Sequence, residues 1–322
     1  MRVVIVGVGA IGGTVGALLA LAGQEVIGIA RGRQLEAIRD KGLTLRSPQG
    51  VRVAELPVVA APDEIDWRPD DAVLLCTKTQ DTEAALAQLR LAGVDEQPVF
   101  CLQNGVENER LALRRFPNVH GVTVLLPAEF VVPGEIAAFG SPCEGIFDIG
   151  CFPGGADEAD RALAELLTPV GIAGFVTEDV MASKYGKLIL NLANIVGAAM
   201  GREAESADVK ALLRAEAEAV LTAAGIGWQE VGDADPRRQE LLKILPVEGA
   251  ASVGSSTAQS LARGAGSIET DFLNGEIVLL GRLHGVPTPA NAYFTRLAAR
   301  MLAEGRAPGS VPREEVAAAL GL

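Results

Sequence analysis

The 322-residue chain has only two histidines, His120 and His284, and four cysteines, Cys76, Cys101, Cys143 and Cys151, none in a C-x-x-C pair. That shortage gives no zinc spacing, so no metal site is expected and the thiols read as reduced structural residues. Neither histidine has a suggestive neighbour in sequence, so an acid–base step falls to another residue type. Positive charge is also scarce: 28 Lys and Arg stand against 41 Asp and Glu, a net charge of −13. Nucleic acid is therefore not an expected partner, because phosphate binding needs a basic footprint. Beyond the first residues no apolar run reads as a membrane span, and no export signal is read. No membrane partner is expected, and the cytoplasm is the expected compartment. What the chain does have is 49% hydrophobic and 21% charged residues. That supports a large core and, on length, two domains.

The stretch Val3 to Gly23 carries no charge. Its glycines argue against an anchor or signal helix, since each interior Gly costs about 1 kcal/mol relative to Ala. Val3-Val4-Ile5-Val6 reads as a buried strand, Gly7-Val8-Gly9-Ala10-Ile11-Gly12 as G-x-G-x-x-G, Thr14 to Ala22 as a helix stopped by Gly23, and Gln24 to Ala30 as a second strand. In this β-turn-α-β setting the fingerprint points to a dinucleotide. Gly7 permits the turn, Gly9 lets the backbone approach a pyrophosphate, and Gly12 lets the helix pack on the strand, while the helix N-terminus offers N–H groups to the anion. Ala10 and Ile11 complete the turn.

NAD-binding units carry an acid about 20 residues on, for the ribose 2′-hydroxyl. Here the second strand ends Ile29-Ala30-Arg31-Gly32-Arg33. A guanidinium grips a 2′-phosphate bidentately, so NADP(H) is expected over NAD(H), with Arg31 as the deciding residue.

Along the first half, strands at Asp71–Lys78, Pro98–Gly105, Val119–Leu125, Gly145–Gly150 and Ala173–Thr177 alternate with helical segments such as Thr82–Leu91. The expected fold is α/β, a doubly wound Rossmann sheet with an all-helical C-terminal domain. In such a sheet ligands lie beyond the carboxyl ends of strands, which places the glycine turn, Arg31, Lys78 and Asn104 on one edge. The character changes near Glu178. Domains are expected at 1–178 (dinucleotide-binding) and 179–322 (helical, substrate-binding), with substrate in the cleft between them. Helices are expected at Asp179–Met200, Asp208–Ala224, Pro236–Leu245, Ile268–His284, Ala290–Glu304 and from Arg313. The loop Gly264-Ala265-Gly266-Ser267 precedes one of them, with Ser267 as a candidate cap. No fixed-period repeat is present.

Within Asp179–Met200, Lys184, Lys187, Asn191 and Asn194 recur at intervals of three and four on an otherwise apolar helix. A stripe this narrow reads as cleft-lining rather than as an ordinary solvent face, because buried Lys and Asn need partners. Glu269, in "SIETDFLNG", falls in the first turn of an expected helix, where a carboxylate is favoured.

Taken together, GVGAIGG, Arg31, Thr77-Lys78, the Gln103–Gly105 "QNG", the Lys187–Asn191 "KLILN" and the Ile268–Gly275 "IETDFLNG" resemble the ketopantoate reductase family over nearly the whole chain. The resemblance implies NADPH-dependent reduction of 2-dehydropantoate to (R)-pantoate, a step toward pantothenate and coenzyme A. It implies Lys187 as general acid and Glu269 as a second catalytic residue that binds the substrate hydroxyl. It implies Asn104 near the nicotinamide, Lys78 at the cofactor and Asn191 on the substrate. The chain departs from the family in four places, among them Ile268-Glu269-Thr270-Asp271, where the family usually has TEID, and the atypical LARGAGS run before it. Asn194 stands one residue before the family's second Asn, at Ile195. The family's substrate-binding Ser aligns with Ser255-Ser256-Thr257, where Thr257 is the nearest match and Ser256 the alternative. Two other readings remain: a relative acting on another 2-oxo acid, such as a D-2-hydroxyacid dehydrogenase, and a non-catalytic dinucleotide sensor. A homodimer is the expected assembly of a two-domain reductase.

Overall fold

The computed structural model describes residues 1–250, 254–264 and 266–322; Ala265, in the loop singled out above, lies outside them. The chain divides into two compact units, one of Met1–Lys184 with Val231–Ala251, the other of Tyr185–Glu230 with Ser252–Leu322.

The first unit is built on an eight-stranded sheet. In chain order its strands are β1 (Arg2–Val6), β2 (Val26–Ile29), β3 (Val58–Val59), β4 (Asp71–Leu75), β5 (Val99–Cys101), β6 (Val119–Leu125), β7 (Gly145–Cys151) and β8 (Ile172–Val176). The spatial order is β8-β7-β6-β5-β4-β1-β2-β3. Strands β1 to β6 are parallel, β7 runs antiparallel to β6, and β8 is parallel to β7. The run of β-branched residues in β1 is explained by its central place: all five residues are buried.

The uncharged start also has a physical cause. The helix Ala10–Leu21 has Ile5 of β1 on one side and Ile136 and Leu43 on the other, near Gly16 and Gly13 respectively. Ile136 and Leu43 belong to a second, four-stranded sheet of Gly50–Ala54, Leu43–Ser47, Glu135–Ala138 and Ala128–Val132, in that order. A helix packed between two sheets has no polar face to show. It ends as expected at Gly23 (φ +71), whose N–H bonds Ala20 O at 3.0 Å while Gln24 N bonds Leu19 O at 3.0 Å.

The segment Val231–Ala251 follows a long helix of the second unit in sequence but belongs to the sheet-containing unit. Pro236–Leu245, expected as one helix, is a short helix Pro236–Leu241 followed by a strand Leu242–Ile244 paired antiparallel with Gly140–Pro142. Arg237 holds it there: Nη1 donates to Asp148 Oδ1 at 2.6 Å and Nη2 to Asp235 Oδ2 at 2.8 Å, with the guanidinium 4.9 Å from the Phe175 ring.

The second unit is helical. Its long helices are Ala207–Ala224, Asn274–His284 and Pro289–Ala303, which pack on one another around Leu213, Ile277, Phe294 and Leu297. Each such fully buried side chain contributes ~1.5–3 kcal/mol. No helix among the described residues is long and apolar enough to cross a membrane.

Candidate active site

In the first unit, the expected cofactor residues converge at the carboxyl edge of four neighbouring strands. The turn Gly7–Gly12 follows β1, Arg31 follows β2, Lys78 lies three residues past β4 and Asn104 three past β5. Gly7 has φ +100, and a Cβ there would stand 3.1 Å from Thr77 N. Gly12 leaves no room for a side chain, since a Cβ would clash with Gly7 O and come within 2.8 Å of Ile5 Cγ2. Gly9 differs from both, because nothing lies within 4 Å of the Cβ position. It is the N-cap of helix Ala10–Leu21 and has no side-chain cap. The Cβ position of Gly9 is thus open, at the start of a helix, where free amides favour an anion. Beside this turn, Thr77 Oγ1 is buried with no hydrogen-bond partner among the described residues, a polar atom of the kind a bound phosphate or ribose satisfies. These residues fit a dinucleotide.

Arg31 is exposed at the tip of β2 and donates from Nη2 to Gln88 Oε1 at 2.9 Å. That bond orients the guanidinium. Lys78 and Asn104 are half-buried. The Asn104 turn is held by its backbone: Asn104 O accepts from Asn108 Nδ2 at 3.1 Å and Thr79 Oγ1 at 3.4 Å.

The polar stripe of the apolar helix divides. The structure breaks Asp179–Met200 into helices Val180–Asn191 and Ala193–Met200 at Leu192. Lys184, expected to line a cleft, is instead buried in the first unit, where its ammonium is paired with Glu109 and donates to Cys101 O and Gln103 O, each at 3.2 Å. Burial pushes the Glu109 carboxyl above its usual range, and Lys184 draws it back.

Lys187 and Asn191 belong to the second unit and lie four residues apart on one helix face, Lys187 half-buried and Asn191 buried. Asn194 is half-buried on the next helix, whereas Ile195 at the family's position is a core residue, 1% exposed. Ser255, rather than Ser256 or Thr257, makes the contact to Asn194. Its hydroxyl donates to Asn194 O at 2.8 Å and accepts from Ala258 N at 3.3 Å, capping helix Ser256–Ala262. Ser256 is half-buried and Thr257 buried on that helix, which packs on Ala193–Met200. Glu269 is buried and opens a short 3₁₀ turn, Glu269–Phe272, separated at Leu273 from the helix Asn274–His284. The helix-dipole argument for it therefore gives way to burial. Ile268, not Ser267, takes the N-cap position of that turn.

Two buried polar networks escaped the sequence reading. Asn274 donates to Leu192 O at 3.2 Å, at the break between the helices bearing Asn191 and Asn194, and to Asn291 Oδ1 at 3.0 Å. Asn291 in turn donates to Glu216 Oε2 at 2.8 Å. Both asparagines are buried, and the only hint was a polar residue inside an apolar helical run. In the first unit, His120 has neighbours that sequence spacing hid. Its Nδ1 lies 2.8 Å from Asp160 Oδ1 and its Nε2 2.8 Å from Asn118 Oδ1, while the Cys151 thiol donates to Asp160 Oδ2 at 3.3 Å. Burial first, and Asp160 next, push that thiol up to about 12, so it stays protonated. This group supports the start of helix Glu158–Leu167 near the amino-terminal end of β6, away from the glycine turn.

The chain is similar to known proteins over most of its length. The family model described as "Ketopantoate reductase PanE/ApbA" matches residues 3–154, and "Ketopantoate reductase PanE/ApbA C terminal" matches residues 179–301. A 2-dehydropantoate 2-reductase of Pyrococcus horikoshii is 31% identical over 295 residues, 90% of this chain and 94% of the relative. The crystal structure of a PanE/ApbA family ketopantoate reductase from Ralstonia eutropha superposes with TM-score 0.78 at 30% identity, covering 95% of this chain and 100% of that one. A ternary structure of D-mandelate dehydrogenase with NADH and anilino(oxo)acetate superposes with TM-score 0.78 at 23% identity over 95% of this chain and 99% of that one, a likeness of fold.

Proposed function

The chain belongs to the ketopantoate reductase family of oxidoreductases, and from that premise we propose that it reduces 2-dehydropantoate to (R)-pantoate with NADPH. The observation that carries the reading is the glycine turn at Gly9, open at its Cβ position, beside a second strand that is followed by Arg31 and has no acid at its tip. The amides after Gly9 and the Thr77 hydroxyl bind pyrophosphate, and Arg31 takes the 2′-phosphate. Lys78 holds the cofactor, and Asn104 orients its nicotinamide end.

A nicotinamide held by these residues would supply the hydride for the ketone carbon. Lys187 then does what an ammonium at a developing alkoxide does: it stabilises the charge and gives its proton to the oxygen, regaining one from water. Glu269 accepts the substrate hydroxyl's hydrogen bond, while Asn191, Asn194 and the Ser256–Thr257 helix start position the 2-oxo acid. Lys184 takes no part in proton transfer, because its three N–H groups are spent on three acceptors.

The test follows NADPH oxidation with 2-dehydropantoate, alongside NADH and a panel of 2-oxo acids that includes benzoylformate. Turnover with 2-dehydropantoate and NADPH is the expected result. Preference for NADH and an aromatic 2-oxo acid would replace the substrate reading with that of the D-mandelate dehydrogenase neighbour, and cofactor binding without any turnover would leave a sensor.

A further inference from the structure

We propose that Lys184 and Glu109 form a positioning pair that sets the Gln103–Asn104 turn, and so the placement of Asn104 toward the nicotinamide. The inference rests on the cofactor reading above, and every group it uses lies in the first unit.

An ammonium has three hydrogens, and Lys184 finds three acceptors: the Glu109 carboxylate, Cys101 O and Gln103 O. Cys101 ends β5 and Gln103 is two residues on, so the two carbonyls face one side of an extended chain. Between them, Leu102 N bonds Leu75 O of β4 at 3.0 Å in the other direction. The far flank of the turn is held separately. Gln103 Nε2 donates to Thr82 Oγ1 at 3.1 Å, Thr82 Oγ1 to Asn108 Oδ1 at 2.8 Å, and Asn108 Nδ2 to Asn104 O at 3.1 Å. Glu109 adjoins Asn108, so one short helix start supplies a hold on both flanks.

The pair is a poor device for stability alone. Both side chains are almost wholly buried, and Glu109 Oε2 and Gln103 Oε1 are buried without a partner. Two apolar side chains of similar volume would do at least as well. What such residues could not do is fasten the two carbonyls that precede Asn104.

That contrast supplies the test. Lys184→Met, the double variant Lys184→Met/Glu109→Met, and Asn104→Ala are compared by steady-state kinetics with NADPH and 2-dehydropantoate, by NADPH titration, by thermal melting and by hydrogen exchange over residues 102–108. Lys184→Met is expected to lower both Tm and kcat. The double variant recovers Tm, because no buried charge is left alone, yet kcat stays roughly 10-fold to 100-fold down, the scale of a misplaced reacting geometry. Its NADPH affinity is unchanged and exchange at 102–108 is faster. A double variant that recovers kcat together with Tm, or that exchanges like wild type, overturns the proposal, as does wild-type kcat in Asn104→Ala. Wild-type protein without turnover on any 2-oxo acid, combined with faster exchange in the double variant, overturns the functional reading and upholds the positioning of the turn.

Discussion

The two units carry their expected site residues on different materials. In the first, the expected cofactor residues sit on or beside a glycine turn at the ends of parallel strands. In the second, the expected substrate residues are side chains near buried asparagines and a serine cap around a helix break. A backbone site is written in glycine spacing and tolerates little; a side-chain site is written in contacts between distant segments and fails one piece at a time.

The sharpest way to break the comparison is at the glycines. Gly12→Val places a side chain against Gly7 O and Ile5, and is expected to cost about 3 kcal/mol or more and abolish folded, cofactor-binding protein, as read by thermal unfolding and NADPH titration. Gly9→Ala meets nothing within 4 Å, so Tm should hold while NADPH binding weakens by about tenfold, equivalent to 1.4 kcal/mol. Equal loss of Tm in both would mean that Gly9 is structural.

In the second unit, Lys187→Ala should lower kcat by roughly 10²–10⁴-fold with an unchanged melting curve. Intact turnover would remove Lys187 from its role. Back at the first unit, Arg31→Ala should raise the NADPH KM by about 10-fold to 100-fold, the range of a lost charge-assisted bond of ~1.5–3 kcal/mol, and leave that for NADH unaltered. Equal effects on the two cofactors would sink the 2′-phosphate assignment.

Asn274→Ala orphans Leu192 O and Asn291, so it should destabilise by about 1–3 kcal/mol in denaturant melts and lower kcat modestly through Asn191 and Asn194. The smallest effect belongs to Asp208, which the hydrogen-bonded Arg313 guanidinium lowers to about 2. A depressed carboxylate adds stability above its unfolded value near ~3.9 and loses it as pH falls toward the folded value. Arg313→Ala should therefore flatten the acid loss of stability between about pH 4 and 2, measured as Tm against pH.

Much of the fold was readable in the chain. The β1–turn–helix–β2 unit, Gly23 as a helix stop, and the alternation through β6 follow from local pattern, because period and glycine geometry act over a few residues. The four-stranded second sheet was not foreseen. Its strands, Leu43–Ser47, Gly50–Ala54, Ala128–Val132 and Glu135–Ala138, come from segments about 80 residues apart in sequence. Leu242–Ile244 likewise reads as helix locally and is a strand because Gly140–Pro142 offers it a partner. Lys184 and Lys187 look equivalent as neighbours on one polar stripe. Only Glu109 and the two carbonyls of β5's end, some 80 residues earlier, separate them.

By itself, then, the sequence determined the glycine turn after β1, the placing of Arg31 just past β2, and the family to which the chain belongs. Each depends on residue identity at short spacing, where sterics and hydrogen-bond geometry leave few alternatives. The tertiary structure alone decided which lysine is spent on an internal ion pair, that Asn274 ties down the helix break, and that His120 stands against Asp160. Those outcomes depend on which distant groups share a buried space, and a buried charge or amide takes its role from whichever partner is there to satisfy it.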